Sequence, residues 1–244
     1  MKKILIISKG TKGAGGFKSS LELLNVLKVS KKNYIKIYTE FDAKKKINNF
    51  LKISLFNLIN KYLKVLIDKK DKKVTVTFPQ IFSYFNYKKY SFDVYLVNYV
   101  NEFLSIKDII GFNKPTLIFI NDMWFFGGIQ HFFDNSSKTF KLNVKNFFSF
   151  FDYLSWSFKF KYLAMNKKII FVASSEWLKL KAQKSKMLKK HRVEKIYTPT
   201  DVIFWKKISK NICRKKFELP VSKKLILFVA KGGFKNFRKG GDIF

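Results

Sequence analysis

The segment of residues 121–133, NDMWFFGGIQHFF, places polar side chains directly after the apolar run TLIFI. Asn121 and Asp122 open it, and His131, one of two histidines in the chain, lies near its end. If TLIFI is a buried strand, these groups face a cleft at the end of the strand, where they can hydrogen-bond a ligand. In an alternative interpretation, Trp124 and its neighbours cap the sheet and the two glycines form an ordinary turn. The pattern leaves both interpretations open.

A second segment has the composition of a phosphate-binding loop. KGTKGAGGFKSS follows the apolar run KILIIS and brings Gly13, Gly15 and Gly16 to the start of a predicted helix. Glycine lets backbone N–H groups approach a phosphate closely, and the helix dipole favours the negative charge. The spacing departs from G-x-G-x-x-G, and Glu40 is only a weak candidate for a ribose contact, so a dinucleotide-dependent dehydrogenase fits poorly.

The elements that position these loops alternate along the chain. Apolar runs predict strands at 3–8, 34–40, 73–78, 93–98, 116–120 and 168–174. Between most of them lie helical patterns, including an amphipathic helix over 46–67 with one apolar side formed by Leu51, Leu55, Leu58, Tyr62 and Leu66. Alternating strands and helices predict an α/β fold, a Rossmann-like parallel sheet with helices on both faces.

The last quarter of the chain begins the same pattern again. After a proline-containing connector and a short helical segment, KLILFVAKGGFKNFRKGGDIF predicts a strand starting at Leu225 and a basic, glycine-containing loop. We expect a first domain over residues 1–197, a linker with a short helix over 198–220, and the start of a second Rossmann-like domain over 221–244. One strand cannot complete a sheet, so the rest of that domain is expected beyond Phe244.

The formal net charge of +34 indicates either a polyanionic partner or a composition effect. Nearly all of this charge is lysine, with arginine only at positions 192, 214 and 238, and Phe, Ile, Asn and Tyr are also abundant. These residues share A/T-rich codons, whereas sequence-specific nucleic-acid readers recruit arginine. We therefore expect a lysine-coated surface and no specific nucleic-acid partner, with an anionic membrane surface as the main alternative.

The sequence also indicates the location and the surface contacts of the protein. Cys213 is the only cysteine, and the sequence contains neither a secretory signal nor an apolar run near 18 residues, so we expect a cytoplasmic protein. The aromatic segment 146–163 predicts either a helix packed on the sheet or one at a lipid interface. His191 lies in a basic run and is predicted to be a solvated surface residue.

Taken together, the motifs resemble the family 4 glycosyltransferases of the GT-B fold, in particular the subgroup of the colanic-acid type. Its loop usually reads H-D-M-W-x-F-T-G-G-C-H-Y, where this chain has NDMWFFGGIQHF. Asn121 replaces the first histidine, and SEWL (175–178) resembles S-R-W-L with Glu176 in place of arginine. IYTPTD (196–201) resembles I-P-N-P-I-D, and FRKGG (237–241) keeps the R-K-G core. The positions that match in the loop are Asp122, Met123, Trp124, Phe126, Gly128 and His131.

The resemblance implies a hexosyltransferase that uses a nucleotide-diphosphate sugar donor, with retention of configuration and without a metal or other cofactor. The acceptor, a saccharide or a lipid-linked sugar of surface polysaccharide, would bind the first domain. Arg238 and Lys239, assisted by Lys231, would neutralise the leaving diphosphate, opposite the N–H groups of the glycine loop. In the acceptor site Asn121, Asp122 and His131 would act on the substrate, and Trp124 would contact a sugar.

The same resemblance has further consequences. A location at the inner face of the cell membrane would suit lipid-linked acceptors. The donor-holding acidic motif is expected beyond Phe244, so residues 1–244 alone are expected to transfer no sugar. Two other interpretations stay open: a lysine-rich module for nucleic acid or anionic membrane, and an inactive homologue, suggested by Asn121 and Glu176, because asparagine cannot relay a proton.

Overall fold

A computed structural model describes the chain except residues 11–14, 30–32, 69–75, 84, 86–90, 134–139, 164–167, 231–232, 236–238, 242 and 244. The predicted site residues Gly13, Lys231 and Arg238 therefore lie outside the described residues.

Strands and helices alternate through most of the chain. Their order is β1 (Lys2–Ser8), α1 (Gly15–Val29), β2 (Asn33–Thr39), α2 (Glu40–Lys44), α3 (Ile47–Asp68), β3 (Val94–Asn98), α4 (Ile106–Ile110), β4 (Thr116–Ile120), α5 (Phe147–Leu163), β5 (Ile169–Ala173), α6 (Glu176–Lys184), β6 (Val193–Lys195) and α7 (Lys210–Lys216). A short 3₁₀ helix follows at Gly233–Lys235.

The described strands form one six-stranded sheet, in which every pair is parallel. Its order is β2-β1-β3-β4-β5-β6. The chain moves outward from β1 to β2 and then returns to the other side of β1 with β3. Between β1 and β3 the direction of winding reverses, and α/β sheets bind ligands beyond the carboxyl ends of strands at such a point. The predicted Rossmann-like α/β fold is confirmed.

Both faces of the sheet are covered, which explains why its strands read as continuous apolar runs. Leu5 and Ile7 of β1 belong to a large core that includes residues of α3, α4, α5 and α6. Ile4 and Ile6 point to the other face, where leucines of α1 pack against them. This alternation fixes the sheet between two helical layers and holds the carboxyl ends of its strands at one edge.

The predicted strand at 73–78 is not a strand of this sheet over its described residues, 76–78. Val76 forms only an isolated antiparallel bridge to Gln130, and the Thr77 N–H donates to the Ile129 carbonyl at 2.8 Å. These residues brace the loop after β4 instead. Conversely, the sequence predicted no strand at Val193–Lys195, where β6 pairs with β5 at the edge of the sheet.

The helix predicted at 46–67 is present as α3, but its orientation differs from the usual amphipathic arrangement. Its buried side is formed by Ile53, Phe56, Asn60 and Ile67. The predicted apolar side, which includes Leu51, Leu55 and Leu58, lies on the opposite side and is exposed. The helix therefore has two apolar faces, and only one of them is covered.

The aromatic segment 146–163 forms α5 and packs on the sheet. Trp156, Lys159 and Leu163 are buried, and most of the remaining aromatic residues are partly buried against the core. The packing interpretation is confirmed. The histidine predicted to be solvated, His191, is half-buried: its Nε2 lies 2.8 Å from the Leu163 carbonyl, and its ring packs edge-on against Phe171. That prediction was wrong because the basic run turns back against the end of α5.

The chain divides into two compact units, Met1–Pro199 and Thr200–Phe244. Unit 1 contains the whole described sheet. In unit 2, Arg214 of α7 donates to the carbonyls of Pro220, Val221 and Lys223, which folds the following segment back on the helix. The predicted strand at Leu225 is absent, since residues 224–230 lack regular structure. A strand requires a hydrogen-bonded neighbour, and the described residues of unit 2 supply none.

Candidate functional site

A chain of polar side chains links the carboxyl ends of the three central strands. The Ser20 hydroxyl of α1 donates to Ser8 Oγ at the end of β1 at 3.0 Å. Asn98, the last residue of β3, donates to Ser20 Oγ at 2.9 Å, and Asn121 Nδ2, just after β4, donates to Asn98 Oδ1 at 2.9 Å. Asn121 is exposed, whereas the other three side chains are buried. The edge of the sheet thus carries a polar track whose accessible end is Asn121.

The loop after β3 adopts an uncommon backbone conformation at the point where the winding of the sheet reverses. Tyr99 and Glu102 have φ values of 50° and 65°, in the left-handed region that non-glycine residues rarely adopt. The Lys9 N–H donates to the Tyr99 carbonyl at 2.9 Å and so ties this loop to the end of β1. Such conformations cost on the order of 1–3 kcal/mol each and cluster at functional sites.

Glu102 is the centre of an ion cluster beside that loop. Its carboxylate pairs with Lys9 Nζ at 2.6 Å and with Lys64 of α3, and it accepts a hydrogen bond from Asn60. Burial acts to raise the pKa of Glu102, but the two lysines outweigh it and hold the pKa below its usual value. Two cations on one carboxylate leave this three-residue cluster with a net positive charge.

Tyr99 connects this cluster with the loop after β4. Burial raises the pKa of its phenol, Lys9 opposes the shift, and Glu102 and Asp122 add to it. The phenol therefore shares one electrostatic neighbourhood with three charged groups from three different loops. An uncharged hydroxyl among lysine and carboxylate side chains is suited to exchanging hydrogen bonds with a hydroxylated ligand.

Asp122 and His131 brace the loop in which they lie. Asp122 Oδ1 accepts the Trp124 N–H at 2.9 Å, and Asp122 Oδ2 lies 2.6 Å from His131 Nδ1. The other ring nitrogen, His131 Nε2, lies 2.8 Å from Thr77 Oγ1. His131 is 8% exposed, and both of its nitrogens have protein partners. The pair therefore closes the loop after β4 rather than presenting an imidazole to substrate.

Trp124 lies inside the protein, which excludes the predicted sugar contact in this structure. Its side chain is 1% exposed and its indole N–H donates to the Thr77 carbonyl at 2.7 Å. The ammonium of Lys159 lies 4.0 Å from the centre of the ring, a cation–π contact from α5. The alternative interpretation, in which Trp124 and Phe125 cap the sheet, is confirmed by their burial.

Lys159 of α5 ties the loop after β4 to that helix. It donates to the carbonyls of Trp124 and Gly128 and is fully buried. Burial lowers its pKa to about 7, although Asp152 and Asp122 oppose the shift. The ammonium is thus poised to lose its proton near neutral pH, while an uncharged amine retains N–H groups for the two carbonyls.

The glycine pair has a packing role in the same loop. A Cβ at Gly128 would overlap the carboxylate and backbone of Asp152, whose Oδ1 accepts the Ile129 N–H at 2.8 Å. A Cβ at Gly127 would come within 2.5 Å of the Phe133 ring. Both glycines are therefore required by close approach, which is more specific than the ordinary turn of the alternative interpretation.

The predicted site residues divide by accessibility. Asn121 is exposed and Asp122 half-buried, whereas Trp124 and His131 are buried. Gly15 and Gly16 are the first two residues of α1, so their N–H groups have no partner within the helix itself. Lys239 is exposed in unit 2.

Four residues at this edge were not predicted: Lys9, Asn98, Tyr99 and Glu102. Lys9 and Asn98 stand at the carboxyl ends of predicted strands, a signal that was available in the sequence. Tyr99 and Glu102 lie after β3, whereas their partner Lys9 lies after β1. The two loops are far apart in the chain and meet only because β1 and β3 are neighbours in the sheet.

Two further observations bear on the site. Within the part of the chain that is described, no group of three His, Cys, Asp or Glu side chains is placed to hold a metal ion. Comparison of the chain with models of protein families, with curated proteins and with solved structures found no match.

Proposed function

We propose that this chain provides the acceptor-binding unit of a glycosyltransferase that moves a sugar from a nucleotide-diphosphate sugar to a saccharide or lipid-linked acceptor of surface polysaccharide, with retention of configuration. The acceptor binds unit 1 at the carboxyl edge of its sheet. The enzyme works in the cytoplasm, at the inner face of the cell membrane, where lipid-linked acceptors are presented.

The observation that carries the proposal is the polar edge beside the reversal of the sheet. Asn121 and Tyr99 offer an amide and a phenol at neighbouring strand ends, and the buried Asn98 holds the Asn121 amide in place. The Lys9–Glu102 pair lies next to Tyr99. A sugar has hydroxyl groups that both donate and accept, so it matches such a mixed set better than a purely cationic surface would.

The proposed donor site is argued from the charge that the leaving group develops. Departure of the nucleoside diphosphate develops negative charge on its terminal phosphate, which basic side chains and a helix N-terminus stabilise without a metal. Lys239, together with Arg238 and Lys231, is the basic set proposed for this role in unit 2. Within unit 1, the first N–H groups of α1, at Gly15 and Gly16, are separately proposed as phosphate contacts.

A titration separates this proposal from the alternative of a general polyanion-binding module. The chain would be titrated with UDP-glucose, GDP-mannose and ADP-glucose, and in parallel with heparin, between 50 and 300 mM salt. We expect one nucleotide sugar to bind at least about tenfold more tightly than the others and to respond weakly to salt, because a site with few charges releases few counterions. Binding that ignores the base and weakens steeply with salt would refute the proposal.

A matched pair of variants locates the donor site. Lys239→Ala is expected to weaken binding of the preferred nucleotide sugar about fivefold or more, since a charge-assisted contact is lost. Lys189→Ala removes another exposed lysine and should leave that affinity unchanged. Equal losses in both variants would indicate a diffuse electrostatic effect.

A further inference from the structure

The exposed face of α3 is an apolar stripe with no partner among the described residues. It consists of Ile47, Leu51, Leu55, Leu58, Tyr62 and Val65, whose side chains are 48–75% exposed. The neighbouring Ile59 is 41% exposed. Their spacing of three or four residues places them within about 100° of arc on one side of the helix. Contiguous exposed apolar surface of this kind marks a site of interaction with a protein or a membrane.

The opposite face of α3 is already used by the fold. Ile53, Phe56 and Ile67 are buried there, and Lys64 is paired with Glu102. The exposed stripe therefore lies on the side of α3 that faces away from the core. It is a second apolar face on a helix that the core holds in place.

The charges around the stripe select an occupant. Lys45 and Lys46 stand exposed just before the helix, and Lys52 and Lys61 are exposed along it. The helix has no acidic residue before Asp68. A stripe of Leu, Ile and Tyr with flanking lysines matches helices that lie in the interface of anionic bilayers.

We infer that α3 docks unit 1 on an anionic lipid surface, with the stripe inserted among the lipid chains and the lysines at the headgroups. A second copy of the chain is disfavoured as occupant, because two molecules of formal charge +34 would repel each other. Within the described residues, no helix is long and apolar enough to cross a membrane. Because the opposite face of α3 packs on the core, contact through the stripe would be peripheral. The inference gives the membrane-side location of the proposed function a specific surface of the protein. It rests on the proposed function only for the idea that the acceptor is lipid-linked.

The test is co-sedimentation of the full chain with vesicles, without nucleotide sugar. We expect strong binding to phosphatidylcholine–phosphatidylglycerol vesicles at a 7:3 ratio and weak binding to pure phosphatidylcholine, since each lysine near an anionic surface contributes about fivefold in affinity. The combined variant Leu51→Ser, Leu55→Ser and Leu58→Ser is expected to lower affinity for the anionic vesicles at least about tenfold. Because these side chains are exposed, circular dichroism and the melting temperature should remain near those of the parent chain.

A control variant carries the same chemical change elsewhere: Leu142→Ser, Val144→Ser and Leu180→Ser, which are 55%, 72% and 49% exposed. It should bind vesicles like the parent chain. Equal binding by parent and stripe variant would overturn the inference in favour of adsorption through lysines alone. A parent chain that sediments as a dimer, and becomes monomeric in the stripe variant, would overturn it in favour of a second copy. Sugar-donor binding that fails while vesicle binding succeeds would refute the proposed function and leave this inference standing.

Discussion

At the scale of single residues, accessibility separates groups that can meet a ligand from those that shape the site. Asn121 is exposed, and its amide donates to Asn98. His131 is buried between Asp122 and Thr77, so its role in this structure is to position the loop. An exposed amide is able to hydrogen-bond hydroxyl groups, but it has no proton to relay near neutral pH.

The Glu102 cluster yields the first prediction at this scale. Glu102→Gln should lower the free energy of unfolding by about 1–3 kcal/mol at pH 7, since Lys9 and Lys64 would be left partly buried without a counter-charge. Urea unfolding measures the change. Glu194→Gln is the matched control: its partner Arg192 is exposed, so a clearly smaller loss than that of Glu102→Gln is expected.

The pH dependence of the same variant provides an independent check. The folded-state pKa of Glu102 lies below the ordinary value of 4.5, so its stabilisation is fully present above pH 4.5 and is lost as pH falls through the folded-state pKa. The parent chain should therefore lose more stability on acidification from pH 5 to pH 3 than Glu102→Gln does. Parallel curves for the two proteins would contradict this account.

At the scale of elements, α5 is the support on which the loop after β4 rests. Asp152 accepts the Ile129 N–H, and Lys159 donates to two carbonyls of the loop. Gly128 permits this contact because a side chain there would overlap Asp152. The aromatic composition of α5 thus serves packing, while its two buried charged residues fix the path of a loop.

Lys159 predicts that stability rises with pH above neutrality. Burial lowers its folded-state pKa to about 7, whereas the unfolded chain keeps the ordinary value of 10.5. Between these values the unfolded state binds one more proton, so the free energy of unfolding increases by up to about 1.4 kcal/mol per pH unit. Urea unfolding between pH 7 and pH 9 measures this slope, below the range in which Tyr95 and Tyr99, whose pKa values are raised, ionise.

Lys159→Met tests the assignment of that slope. The variant loses the hydrogen bonds to Trp124 and Gly128 and should be less stable at every pH, but its stability should vary little between pH 7 and pH 9. A variant that retains the slope of the parent chain would show that another group is responsible.

At the scale of the whole molecule, the sheet and all three core clusters belong to unit 1. A chain ending at Pro199 should therefore fold alone and melt within about 5 °C of the full chain. Differential scanning calorimetry checks this. A chain ending at Arg192 is the control: it removes β6 and the buried Val193, and should melt lower because β5 becomes an unprotected edge. A chain ending at Pro199 that does not fold would contradict the division into units.

The sequence predicted much of the fold, because strands that are buried on both faces consist of continuous apolar residues. β1, β2, β3, β4 and β5 were predicted close to their observed bounds for this reason, as was α3. β6 has only three residues, too few for an apolar period to appear. The run at Leu225 has the composition of a strand, yet composition cannot provide the neighbouring strand that its hydrogen bonds require.

By itself, then, the sequence determined the parallel α/β architecture and the edge where polar groups gather, since both depend on local hydrophobic patterns. Only the tertiary structure decided which of those groups are reachable. His131 and Trp124 are close to Asn121 in the chain but are enclosed by Thr77 and Lys159, which come from distant segments. The same holds for α3, where helical spacing identifies an apolar side and only packing against the sheet decides which side faces outward. Burial is a property of the assembled chain, so no local pattern could have assigned it.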